Sequence, residues 1–294
     1  MPFTTTTAVP LYWISYGLTD GPRLLLLHGG PGAPHDYLLP QMLELGDRYQ
    51  LVFYDQRGSG KSRTADQSPV TWRTHVDDLA GLIRELGLDP LSIIGYSWGG
   101  LLALLYAIDA YRGDATRPAR MVLIDPAPIS RPLRDAFEAE FARRQSSDAV
   151  AALREQLAAS GLRERDHDAY RHRAFELSVA GYFGRPERAR ALTPFRVIGR
   201  IQKSVWSSLG DYDLRSDLAA VRCPTLVIHG RQDPIPLESS EAATRALPNA
   251  RLVVLDESGH VPYVEAPDAL FAAIRRFLDE TASLSSSSPP PEAT

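Results

Sequence analysis

The chain has 294 residues, 44% hydrophobic and 23% charged, enough for one large α/β domain carrying an insertion, which excludes disorder for most of its length. Its net charge of -4 gives no field that would draw nucleic acid or an anionic membrane, and no segment approaches the roughly 18 apolar residues of a membrane span. One cysteine, Cys223, permits no internal disulfide and fits a reducing compartment, so a soluble cytoplasmic protein is expected.

Leu11 to Tyr16 is rich in β-formers and ends at Gly17, which predicts an edge strand. The Thr19-Asp20-Gly21-Pro22 turn then leads into Arg23 to Leu27, a central strand. Near-continuous apolar runs recur at Leu51 to Tyr54, Leu91 to Ile94, Met121 to Ile124, Thr225 to Ile228 and Leu252 to Leu255, the mark of strands covered on both faces. Helical patterns lie between them: Thr71 to Leu86, capped by Thr71 and stopped by Gly87, then Leu101 to Ala110, Glu238 to Leu247 and Pro267 to Leu278. The alternation predicts an α/β fold, a mostly parallel twisted sheet flanked by helices.

Between Asp125 and Leu209 the alternation gives way to polar helical sequence broken at Gly161, Gly181, Gly184 and Pro194. This predicts a helical cap, residues 127–208, inserted into a core of residues 1–126 and 209–280. The serines and prolines near the C-terminus cannot build a core, so residues 281–294 are expected to form a disordered tail.

Ligands in open parallel sheets bind beyond the carboxyl ends of the strands, and four signals fall there. Gly95-Tyr96-Ser97-Trp98-Gly99 joins a strand to a helix with Ser97 at the apex, and glycines two residues either side remove Cβ atoms that would collide with neighbouring strand or helix. His28-Gly29-Gly30-Pro31-Gly32 is a turn able to offer an amide hydrogen to a developing oxyanion, with Gly30 and Trp98 as the donors. Its glycines do not meet dinucleotide-binding spacing. Asp233, in Gly230-Arg231-Gln232-Asp233, can orient a histidine. His260, in Ser258-Gly259-His260, can act as general base, titrating at about pH 6 to 7 if its pKa is ordinary. The order Ser97, Asp233, His260 is that of a catalytic triad on an α/β-hydrolase sheet.

Other residues compete less well. Asp125 also ends a core strand and is the substitute acid if Asp233 proves structural. His28, His35, His75 and His229 are read as hydrogen-bonding within loops or around the sheet. No histidine pair has zinc-ligand spacing with a carboxylate partner, so neither metal nor cofactor is expected. Gly58-Ser59-Gly60-Lys61-Ser62 imitates a phosphate loop, but the leading glycine it needs is Asp55. The cap aromatics Phe175, Tyr182, Phe183, Phe195 and Trp206 are candidates for cap packing or for the wall of an apolar pocket.

These strings, with Asp55-Gln56-Arg57-Gly58-Ser59-Gly60-Lys61-Ser62, resemble the α/β-hydrolase superfamily and, within it, the proline iminopeptidase group. His35-Asp36-Tyr37-Leu38-Leu39 is similar to the tricorn-interacting aminopeptidase branch. The resemblance implies a capped serine hydrolase with an acyl-enzyme mechanism, often releasing an N-terminal proline. It also implies glutamates that hold the substrate's free amine, from the cap and from the position after the acid. Here those places read Thr193-Pro194 and Pro234, leaving Glu138, Glu140 and Glu176 as replacements. The expected activity is therefore ester or amide hydrolysis on small molecules or short peptides. Proline iminopeptidase and a non-catalytic small-ligand receptor are the alternatives. Oligomeric state is not legible.

Overall fold

A computed structural model describes residues 2–63 and 68–286. Seven strands form one sheet in the order β1-β3-β2-β4-β5-β6-β7: β1 (Trp13–Gly17), β2 (Arg23–Leu27), β3 (Gln50–Tyr54), β4 (Leu91–Tyr96), β5 (Pro118–Ile124), β6 (Thr225–Gly230) and β7 (Ala250–Leu255). β1 runs antiparallel to β3 at one edge, and every other pairing is parallel.

Period-two alternation explains why the strands read as continuous apolar runs. Leu25 and Leu27 enter the core on one face while Leu24 and Leu26 enter it on the other. Met121 and Leu123 are likewise divided from Val122 and Ile124. Each fully buried leucine or valine contributes roughly 1.5–3 kcal/mol, so the two cores hold the sheet rigid beneath whatever its loops carry.

The helices that flank the sheet follow from the same pattern. α1 (Trp72–Glu85) starts at Thr71, whose hydroxyl accepts from the Thr74 amide while the Thr74 hydroxyl accepts from the Thr71 amide. α2 (Trp98–Arg112) is buried nearly all round, which is why it shows no polar face. Between β5 and β6 lie the helices α3 (Arg131–Gln145), α4 (Asp148–Ala159), α5 (His167–Val179) and α6 (Gly199–Leu209). α7 (Leu237–Ala246) joins β6 to β7, and α8 (Pro267–Ser286) closes the described chain. The last helix continues to Ser286, past the 280 boundary expected for the core. The rest of the anticipated Ser/Pro tail lies outside the described residues. No helix among the described residues is long and apolar enough to cross a membrane.

Candidate active site

Ser97 sits between β4 and α2 at φ 54° and ψ -120°, a conformation that side-chain-bearing residues seldom adopt. The surroundings enforce it. The Ser97 amide donates to the Ile124 carbonyl, and the Ser97 carbonyl accepts from Ala127 and Gly100. A Cβ on Gly95 would lie 2.5 Å from the Gly99 carbonyl oxygen, and one on Gly99 would meet the Leu27 carbonyl at the end of β2. The collisions anticipated for the two flanking glycines are therefore real, one with the helix and one with the strand.

Three of the residues singled out from sequence meet in a line. His260 Nε2 lies 2.9 Å from Ser97 Oγ, and His260 Nδ1 lies 2.7 Å from Asp233 Oδ2. A carboxylate on Nδ1 fixes the proton there and leaves Nε2 to accept from the serine hydroxyl. Asp233 is buried, and its other oxygen accepts from the Ile235 amide at 2.7 Å. Burial pushes the Asp233 carboxyl up, while hydrogen bonds from Asp125 and Ile235 pull it back. Burial lowers His260 to about 4, so the expectation of an ordinary histidine pKa does not hold: the ring is not on solvated surface but enclosed.

That enclosure comes partly from the cap. The His260 ring is stacked on Tyr182, with centroids 5.0 Å apart, and lies 5.3 Å from Tyr96 at the end of β4. The His260 amide donates to the Tyr182 carbonyl, and Glu265 accepts from Gly259 at 2.7 Å and from Gly184 at 3.1 Å, clasping the histidine loop to the cap. Sequence reading assigned Glu265 no role, because a glutamate in a short helix carries no motif.

Gly30 borders the space before Ser97, and Trp98 follows Ser97 in the chain. Among the described residues neither amide donates to a protein acceptor. Gly30 is at φ 126°, and the adjoining Gly29 amide is fixed by the Tyr37 hydroxyl at 2.8 Å. The Asp55-to-Ser62 string serves as scaffold for this loop. Gln56 donates to the His28 carbonyl at 2.9 Å and accepts from the Trp98 indole at 2.8 Å, while Asp55 accepts from His35 and from the Lys61 amide. His28, His35 and His229 are hydrogen-bonded as expected. His75 departs from that expectation, since both of its ring nitrogens lack a partner among the described residues.

Between core and cap, a cavity of about 450 Å³ opens onto Ser97 and His260. Its walls are largely aromatic, including Tyr37, Phe141, Phe175, Tyr182 and Phe195, with Phe195 stacked on Tyr37 at 4.2 Å. Of the five cap aromatics noted above, Phe175, Tyr182 and Phe195 line it, while Phe183 and Trp206 do not. No carboxylate lines it among the described residues. Glu138 pairs with Arg134, Glu140 with Arg143 and Arg144, and Glu176 with Arg173, each at 2.7 Å, so the acids expected as substitutes are engaged within their own helices.

The model of the alpha/beta hydrolase family matches residues 24–274 of this chain. The chain belongs to that family. It is a hydrolase, and it is similar to the proline iminopeptidase group. The proline iminopeptidase of Heyndrickxia coagulans is 27% identical over 272 residues, covering 88% of this chain and 91% of the relative. The putative carbamate hydrolase RutD of a Caulobacter species is 29% identical over 269 residues, covering 87% and 90%. The crystal structure of proline iminopeptidase from Mycobacterium smegmatis superposes with a TM-score of 0.68 over 96% of this chain and 99% of that one, at 21% identity.

Proposed function

We propose that the protein hydrolyses carboxylic esters or amides of small molecules or short peptides through an acyl-enzyme. The observation that carries the reading is the unbroken line from Ser97 Oγ through His260 to Asp233 at 2.9 and 2.7 Å. Ser97 Oγ bonds to the substrate carbonyl carbon as its proton passes to His260 Nε2, and Asp233 stabilises the imidazolium. The amides of Gly30 and Trp98 receive the oxyanion. His260 then protonates the departing alcohol or amine, and a water repeats the sequence to release the acid. No cofactor takes part.

The cavity, aromatic-walled and lined by Arg196 but by no described carboxylate, supports an acyl or aromatic substrate group without an ammonium. A buried ammonium needs a carboxylate partner, and none lines this space among the described residues. The likeness to proline iminopeptidases favours a second reading, removal of an N-terminal proline, and the likeness to a carbamate hydrolase is of the same order.

Labelling with a fluorophosphonate tests the chemistry: Ser97 is modified, and Ser97→Ala lowers kcat by on the order of 10⁴ to 10⁶. A Ser97→Ala protein with full esterase activity sinks the reading. Short aryl esters compared with free-amine and N-blocked prolyl arylamides test the substrate. Strong cleavage of the free-amine amide, abolished by blocking, would establish the aminopeptidase instead.

A further inference from the structure

Asp125 follows β5 at φ 41°, fully buried, with its carboxyl near Asp233. One of its oxygens accepts from the Gly230 amide at 2.7 Å. The other, Oδ2, has no donor among the described residues, although it is enclosed in the core. The side chains of Asp125, His229 and Asp233 bring one polar atom each within 4.8 Å of one another, so the two carboxyls are neighbours in the core. Two buried carboxylates so close cannot both be ionised.

Neighbouring groups narrow how the pair can be satisfied. His229 Nε2 faces the Ile235 carbonyl at 3.1 Å and must donate to it, so Nδ1 carries no proton and accepts from the Ser240 hydroxyl at 2.9 Å. His229 therefore has no proton to offer Asp125, whose nearer oxygen is 3.8 Å from Nδ1, and no lone pair left for a metal ion. Asp233 already accepts from Ile235 and from His260. The other titratable groups around the pair are Tyr96 and Tyr263 beside Asp125, and Arg144, Glu265 and Tyr182 beside Asp233. No described side chain donates to Asp125 Oδ2, and a proton of its own, directed at Asp233, would satisfy it.

We infer that Asp125 is a neutral carboxylic acid at physiological pH and donates its proton to Asp233, acting as a positioning residue behind the triad. Burial and the nearby Asp233 charge both push its carboxyl well above the usual range, as this role requires. The consequence is a fixed charge count. The pair carries one negative charge, held on Asp233 by three donors, and that charge is neutralised when His260 accepts the serine proton. This replaces the reading of Asp125 as a spare acid, and it rests on the proposed roles of Ser97, His260 and Asp233.

Infrared spectroscopy of the whole protein at pH 7 reads the proton directly, without reference to activity. The wild type shows the carbonyl stretch of a buried carboxylic acid, and Asp125→Asn lacks it. In kinetics, Asp125→Ala lowers kcat about 10- to 100-fold, the range for losing a hydrogen bond to a charged group. Asp125→Asn, whose amide keeps a neutral donor and tolerates positive φ, recovers most of that loss with the acid limb of its pH profile unmoved. No acid band, or an Asn variant as impaired as the Ala variant, overturns the inference. If Ser97→Ala retains activity while the band is present, only the hydrolytic roles fail.

Discussion

Acidification should unfold this protein steeply between pH 6.5 and 5, and the cause lies in its buried imidazoles. Burial lowers His28, His229 and His260 to about 4 and His75 to about 3, against an ordinary value of 6.5. Each has a folded pKa below its unfolded one, so its contribution to stability is full above about pH 6.5 and is lost as pH falls toward the folded value. Relative to pH 7, each such group costs about 2 kcal/mol at pH 5, and four together about 8. The proton inferred on Asp125 has the opposite sign and offsets part of this loss. A remaining loss of several kcal/mol is comparable with the whole stability of many domains. Urea unfolding followed by tryptophan fluorescence at half-unit pH steps measures it. His75→Leu isolates one group, because His75 makes no hydrogen bond among the described residues and rests edge-on against Trp98 at 6.0 Å. That variant should flatten the pH dependence by about one proton. A urea midpoint that is constant from pH 7 to 5, or a slope indifferent to His75→Leu, refutes the reasoning.

Three further outcomes are expected. Between pH 7 and the onset of acid unfolding, kcat/KM shows no loss from protonation of His260, because the enclosed ring stays neutral; a limb near 6.5 that precedes any loss of structure shows the ring to be solvated. Gly99→Ala drives a methyl into the Leu27 carbonyl and costs at least about 1–3 kcal/mol, read as a fall in Tm, whereas a neutral effect removes the steric account of the turn. Tyr182→Ala removes the ring stacked on His260 and lowers kcat about tenfold for large and small substrates alike; a change confined to KM for bulky acyl groups assigns Tyr182 to the pocket wall alone.

Much of the fold was legible because burial on both faces writes strands as apolar runs. Arg23 to Leu27 matches β2 at both ends, and Thr71 caps α1 as its hydroxyl predicted. Boundaries slipped where tertiary contacts extend an element: α2 begins at Trp98 rather than Leu101, since the turn at Ser97 itself launches the helix. At the site, Ser97, Asp233 and His260 were readable because each follows a strand with turn-forming neighbours, and geometry brings them together. Glu265 and the tie between Asp125 and Asp233 were not. Their roles depend on contacts across the sheet and with the cap, which no local spacing encodes. The assignment of His75 to a hydrogen-bonded surround also missed, since sequence cannot show that α1 turns that ring toward Trp98.

The cap does more here than shape a pocket. It supplies Tyr182, whose ring lies against His260 and whose carbonyl holds the His260 amide, and Gly184, whose amide shares Glu265 with the histidine loop. On the roles proposed for Ser97 and His260, one segment, residues 182–184, couples substrate contact to proton transfer. Phe195 stacks on Tyr37, whose hydroxyl in turn fixes the Gly29 amide beside the oxyanion loop, so the same coupling exists on the opposite wall. A cap that varies freely to suit new acyl groups would disturb both the base and the oxyanion loop. Phe141 packs on Tyr182 and Phe175 on Phe195, so they belong to the same chains of contact. A lining residue outside those ring contacts, such as Leu192, is free to set specificity, and substitution there should alter KM for particular substrates while leaving kcat for small esters intact.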